Sequence, residues 1–244
     1  MPEKFRMFLG LMVIISAITG YSANARSADM SNDLTSMQKA IIPIAAFAAT
    51  GNTAKLDSAL AAGLNSGLSV NAIKEVLIQL YAYAGFPRSL TALETFRQLV
   101  EKRKAEGIKD ETEPEPEKLP ADINKYEAGG KVQTHLVGRP VGGPLYEFAP
   151  AMDVFLKEHL FCDIFGRGVI SEKDRELATI SILAALPAPA QLASHLRVCR
   201  NIGFTENQLR EAGSVMGREV SKEAGELINN TLNKIYSVDT KEGK

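Results

Sequence analysis

Apolar residues recur at i, i+3, i+4 and i+7 along most of this chain, and no run alternates Val, Ile and aromatic residues with a period of two. The first spacing puts one greasy stripe on a helix, whereas the second would mark a half-buried strand. The pattern therefore predicts an all-α protein. Two helix-rich blocks stand out, residues 30–104 and 146–237, with a short tail at 238–244. Residues 105–145 have another character: 110–120 is acidic and broken by prolines, and Gly129, Gly130, Gly138, Pro140, Gly142, Gly143 and Pro144 follow. Such a stretch reads as an extended Pro/Gly-rich connector without a regular helix.

The two blocks align with each other. Sliding residues 40–76 against 176–212 needs no gap and matches Ile44 with Ile180, Leu56 with Leu192, Leu60 with Leu196, Asn65 with Asn201 and Glu75 with Glu211. The order of features also repeats: an apolar helix, a break, a second helix, then Gly67-Leu68-Ser69 in one copy and Gly203-Phe204-Thr205 in the other. Each glycine is placed to end a helix, and each hydroxyl residue to cap the next. This predicts an internal duplication.

The copies differ where chemistry would sit. Glu176 shares a helix face with Ile180 and Leu183, and His195 lies between Leu192 and Cys199 on the next apolar face. The first copy has Ala40 and Ala59 at these positions. A carboxylate and an imidazole at core-facing sites that the sibling fills with alanine are candidates for proton transfer. Each side chain also has a plain structural alternative, as a hydrogen-bonded core histidine or a helix-start carboxylate. On straight antiparallel helices the two would differ in height by roughly 8 Å, so they meet only if the helices cross or something bridges them.

Composition removes several function classes. Lys and Arg number 28 against 29 Asp and Glu, a net charge of -1, which offers no footprint for nucleic acid or an anionic membrane. Three dispersed histidines and two cysteines, Cys162 and Cys199, without a C-x-x-C pair, predict no metal site. The cysteines read as small buried apolar residues, although an oxidising compartment would permit pairing. Lys4 and Arg6 precede an apolar run from Met7 to about Tyr21 and a small-residue stretch ending Ala23-Asn24-Ala25. That order predicts a signal peptide over 1–25, hence a periplasmic or secreted protein with no membrane anchor after cleavage.

Residues 167–186, then His195 and Asn201 to Glu206, resemble the carboxymuconolactone decarboxylase family of the alkylhydroperoxidase D-like superfamily. The run from Glu75 to Arg88, with Tyr81, Tyr83, Gly85, Phe86 and Pro87, is similar to a second signature of that family. The resemblance implies duplicated helical units of the alkylhydroperoxidase D-like kind, a homo-oligomer (trimer or hexamer), a small-molecule substrate and no cofactor. The peroxidase branch carries cysteines twelve and fifteen residues after its glutamate and a histidine at nineteen. Glu176 and His195 fit that spacing, but Ala188 and Gln191 stand at the cysteine positions. Without a thiolate pair the peroxidase chemistry lacks its nucleophile. The decarboxylase branch fits better, and implies loss of CO2 from a small carboxylated lactone or oxo-acid with His195 and Glu176 handling the proton. A thiol-dependent peroxidase and a catalytically silent oligomerising module are the alternatives. The His-less copy carries the tyrosine-rich signature, so a composite site is expected: Glu176 and His195 with Tyr81, Tyr83, Phe86 and Arg88. Arg167 and Arg175 are candidate clamps for a substrate carboxylate, with an interface salt bridge as their alternative.

Overall fold

The computed structural model describes residues 32–242, all helix and connecting loop with no strand among them. The first unit comprises α1 (Ser36–Thr50), α2 (Thr53–Asn65), α3 (Val70–Gln79) and α4 (Tyr81–Ala105). The second comprises α8 (Glu172–Ala185), α9 (Pro189–Asn201), α10 (Glu206–Glu219) and α11 (Lys222–Glu242). First residues 36, 53 and 70 of one unit recur as 172, 189 and 206 of the other, as the gapless alignment requires. Capping repeats too: Thr35 and Gln38 form a reciprocal box at α1, and Thr205 and Gln208 do the same at α10. Ser69 and Ser171 cap α3 and α8. Gly67 and Gly203 both adopt positive φ, at 99° and 91°, where a side chain would be strained. The predicted signal peptide, residues 1–25, lies outside the described residues.

The units are joined through α1 and α8, which trade core residues. Ile42 and Ala46 of α1 pack in the second unit's core, and their repeat equivalents Ala178 and Ile182 of α8 pack in the first's. Reciprocity of this kind is what a two-fold relation between the halves produces. It extends to ion pairs, for Lys39 meets Glu211 at 2.6 Å and their equivalents Arg175 and Glu75 meet at 2.9 Å. Ile42 and Ile182 are fully buried, and each contributes about 1.5–3 kcal/mol by leaving water. A partly exposed pair such as Lys39–Glu211 contributes about 0–1 kcal/mol. Apolar exchange therefore dominates the joint.

The connector departs from expectation. Residues 108–119 are extended, but Lys125–Val137 form a regular helix, α5, capped by Asn124 and ended by Gly138 at φ 79°. Gly129 and Gly130 do not break it; Gly129 lets it approach another backbone. A Cβ on Gly129 would sit 1.7 Å from the Lys157 carbonyl oxygen. Two short helices, α6 (Pro144–Phe148) and α7 (Pro150–Val154), lead into a π-helical stretch, Phe155–Ile164, against which α5 lies. Leu136 of α5 is buried in the second unit's core, so the segment belongs to that unit. Gly129→Ala should force α5 off the π-helical stretch and lower stability by about 1–3 kcal/mol, read as a reduced urea midpoint. An unchanged midpoint would show that the packing gives way freely.

Candidate active site

Glu176 sits just past the first turn of α8, a helix set by its Ser171 cap, and points at α9. There His195 Nδ1 lies 2.8 Å from Glu176 Oε2, so the two side chains meet directly with nothing between them. The carboxylate is 1% exposed and its second oxygen, Oε1, has no hydrogen-bond partner. The imidazole is one-fifth exposed, and what it faces is a cavity of about 560 Å3. With Nδ1 engaged by the carboxylate, Nε2 is the ring nitrogen left for a ligand.

Two opposing influences set the histidine's basicity. Burial pulls its pKa down, while the Glu176 charge and hydrogen bond push it up, and the second pair wins. The imidazolium is thus favoured beyond its ordinary range. Tyr83, from the start of α4, places its ring edge-on to His195 with centroids 5.8 Å apart. Burial first and the Glu176 charge second raise its phenol pKa, so it stays protonated; its hydroxyl lies near Thr179 without reaching hydrogen-bond geometry. One residue of the first unit therefore does join the pair from the second.

The other predicted participants lie elsewhere. Arg175 is wholly buried between the units, where Nη2 donates to Glu75 at 2.9 Å and Nη1 to Gln79 at 3.2 Å. Arg167 donates to the other oxygen of Glu75 at 2.8 Å. Both arginines hold the halves together, which corrects their reading as substrate clamps. Arg88 lies over the α1–α2 turn, its guanidinium filling the space a Cβ on Gly51 would need, and does not line the cavity. Gly85, at φ 80° and ψ 161°, does interrupt α4, but the break is packed by aromatics: Tyr81 and Phe86 stack at 4.5 Å, with His159 beside Tyr81. Phe86 is 62% exposed, and neither ring lines the cavity. The composite site shrinks to Tyr83.

The structure adds cavity-lining residues that the sequence reading did not single out, most of them inside the connector. Gln133 and Leu136 of α5, then Arg139 and Tyr146 just beyond it, roof the cavity. Arg139 is exposed and makes no hydrogen bond or ion pair with any described residue. The only sequence clue was one arginine set in a Gly- and Pro-rich loop. Cys162 and Cys199 are free and buried, and burial raises both thiol pKa values, with Glu176 adding to the effect at Cys199. Neither is poised as a thiolate. Among the described residues no group of three or more His, Cys, Asp or Glu is arranged to hold a metal ion, and no helix is long and apolar enough to cross a membrane.

Fold and site together define a duplicated, all-helical protein whose second repeat keeps a carboxylate–imidazole pair facing a cavity. The chain belongs to the carboxymuconolactone decarboxylase family, whose model matches residues 16–98 and 150–217. Over 94 residues it is 29% identical to the 4-carboxymuconolactone decarboxylase of Acinetobacter baylyi, an overlap of 37% of this chain and 70% of that relative.

Proposed function

We propose that this protein is a decarboxylase-like lyase that removes CO2 from a small carboxylated lactone or oxo-acid by proton transfer through His195. The observation that carries the proposal is the His195–Glu176 pair opening into the cavity with Nε2 free. A filled interior would have favoured a silent scaffold, and low-basicity thiols would have favoured a peroxidase.

The chemistry follows from the geometry. As the bond to the departing carboxylate breaks, its electron pair moves into the adjacent carbonyl and leaves an enolate. The imidazolium of His195 delivers the Nε2 proton to the carbon, and Glu176 holds the ring in place and stabilises its charged form. Water returns the proton, so the sum is one carboxylate and one proton giving CO2 and a C–H bond. Arg139, unpaired at the rim, suits an acid group that stays on the substrate, because a firmly paired carboxylate resists losing CO2. The departing group then faces the apolar wall of Leu136, Leu160 and Phe161.

The proposal extends to an exported homo-oligomer, trimer or hexamer. The leader-like pattern of residues 1–25 supports export, and the exposed Leu145, Phe148 and Phe155 beside the cavity mouth support burial against a copy. Incubation with 4-carboxymuconolactone and smaller carboxylated lactones in D2O is the test, read by CO2 release and deuterium in the product. No CO2 and no deuterium from any of them would overturn the assignment. Arg139→Ala should raise KM about 10- to 100-fold and leave kcat within a few-fold, since a charge-assisted hydrogen bond to substrate is lost before the chemical step. Equal losses in kcat would instead place Arg139 at the reacting atoms.

A further inference from the structure

The cavity wall holds a polar group that the proton transfer does not use. Gln133 is 3% exposed, lines the cavity, and its Oε1 is buried with no hydrogen-bond partner. Its amide enters no hydrogen bond among the described residues. Its neighbours on the same wall, Leu136 and Val137, are apolar, so a leucine at 133 would have closed the surface more favourably. A buried amide left unpaired by the protein is stabilised when a ligand pairs with it. Oε1 is an acceptor, and Glu176 and Tyr83, each with a buried oxygen that has no partner, line the same cavity.

Position along the chain separates Gln133 from the family's common machinery. It lies on α5, and Arg139 just past that helix's end, both between the stretches 16–98 and 150–217 that match the family model. Both residues thus stand outside the stretches by which the family is recognised. We infer that Gln133 is a specificity-determining residue that accepts a hydrogen bond from a substrate hydroxyl, so the ligand is a hydroxylated acid or the enol of an oxo-acid, held by Arg139 at its carboxylate end. This rests on the acid-binding reading of the cavity proposed above and narrows it.

Benzoate and its three monohydroxy isomers serve as rigid rulers, carrying the carboxylate at one end and a hydroxyl at each position in turn. Binding is read from the His195 ring signals by NMR and from titration calorimetry. At least one hydroxy isomer should bind the unaltered protein about 10-fold or more tighter than benzoate, because a site built to pair a hydroxyl discriminates strongly against its absence. In Gln133→Met that preference should fall to within about twofold, while Arg139→Ala weakens all four alike. The melting temperature of Gln133→Met should rise by about 2–4 °C, since an unpaired buried amide is exchanged for an apolar chain of similar length. A fall in melting temperature, or loss of folding, would show that Gln133 serves packing and would overturn the inference. A hydroxyl preference that is absent, or that survives Gln133→Met, overturns it too, while leaving the carboxylate site standing. Failure of all four acids to bind the unaltered protein would remove the acid-binding reading itself, and this inference with it.

Discussion

His195→Asn should lower turnover by about 10^2- to 10^4-fold with little change in melting temperature. Asparagine can place an N–H near the Nδ1 position and keep the 2.8 Å contact to Glu176 Oε2, so the buried carboxylate retains a donor. What disappears is the titratable nitrogen that faces the cavity. Alanine is the poorer probe, because it would strip Glu176 of its partner and mix a folding defect with a chemical one. Activity of His195→Asn within tenfold of the parent would remove the histidine from the reaction. Glu176→Gln tests the other half of the pair. The histidine's pKa is raised in the folded protein, so the imidazolium persists above 6.5 and activity should decline only as pH climbs through that higher value. Losing the Glu176 charge should move this decline to lower pH. Stability follows the same sign: the pair's contribution is complete below the unfolded pKa and is lost as pH rises through the folded one. Melting curves from pH 5 to 9 should show that loss in the parent and not in Glu176→Gln.

Glu75→Leu should destabilise the fold by about 3–5 kcal/mol, lowering the melting temperature by about 10 °C or more. Glu75 accepts from Arg175 at 2.9 Å and from Arg167 at 2.8 Å, and Arg175 has no surface to retreat to. Arg167 is one-third exposed and can turn to water. Arg175 cannot, and burial already lowers its pKa against the pull of Glu75. Removing the carboxylate strands a guanidinium between the two units, with the Gln79 amide oxygen as its remaining side-chain acceptor and the Phe165 ring 5.8 Å away. Pairing the change with Arg175→Met should recover most of the loss, because an apolar pair of similar volume replaces a buried ion pair at little cost. A double variant as unstable as the single one would show that the leucine itself misfits, and that the stranded charge is not the cause.

The sequence carried the repeat, the helix starts and the central pair because all of these are local or periodic. Thr35, Ser69, Ser171 and Thr205 cap helices by their own side chains, and the 136-residue offset needs no knowledge of packing. The height mismatch on straight helices made contact between Glu176 and His195 conditional, and the structure brings them together directly. Two things were hidden. Gly129 looks like a helix breaker until the carbonyl of Lys157 is seen against it, since close approach between segments leaves no local pattern. Arg167 and Arg175 stand near the pair in sequence, yet their partner Glu75 is 92 and 100 residues away. Arg139, in the stretch read as connector, lines the cavity and pairs with no other described residue.

That α5 and its following loop sit over one cavity, outside either repeat, separates two kinds of change open to this chain. Glu176 and His195 are rooted in α8 and α9, whose apolar residues also build the second unit's core. The covering stretch meets the interior through Leu136, with Val132 and Val137 packed against the same core. Substitutions at its exposed cavity-lining positions, Arg139 and Gly142, should therefore change what the cavity admits while leaving the Glu176–His195 contact in place.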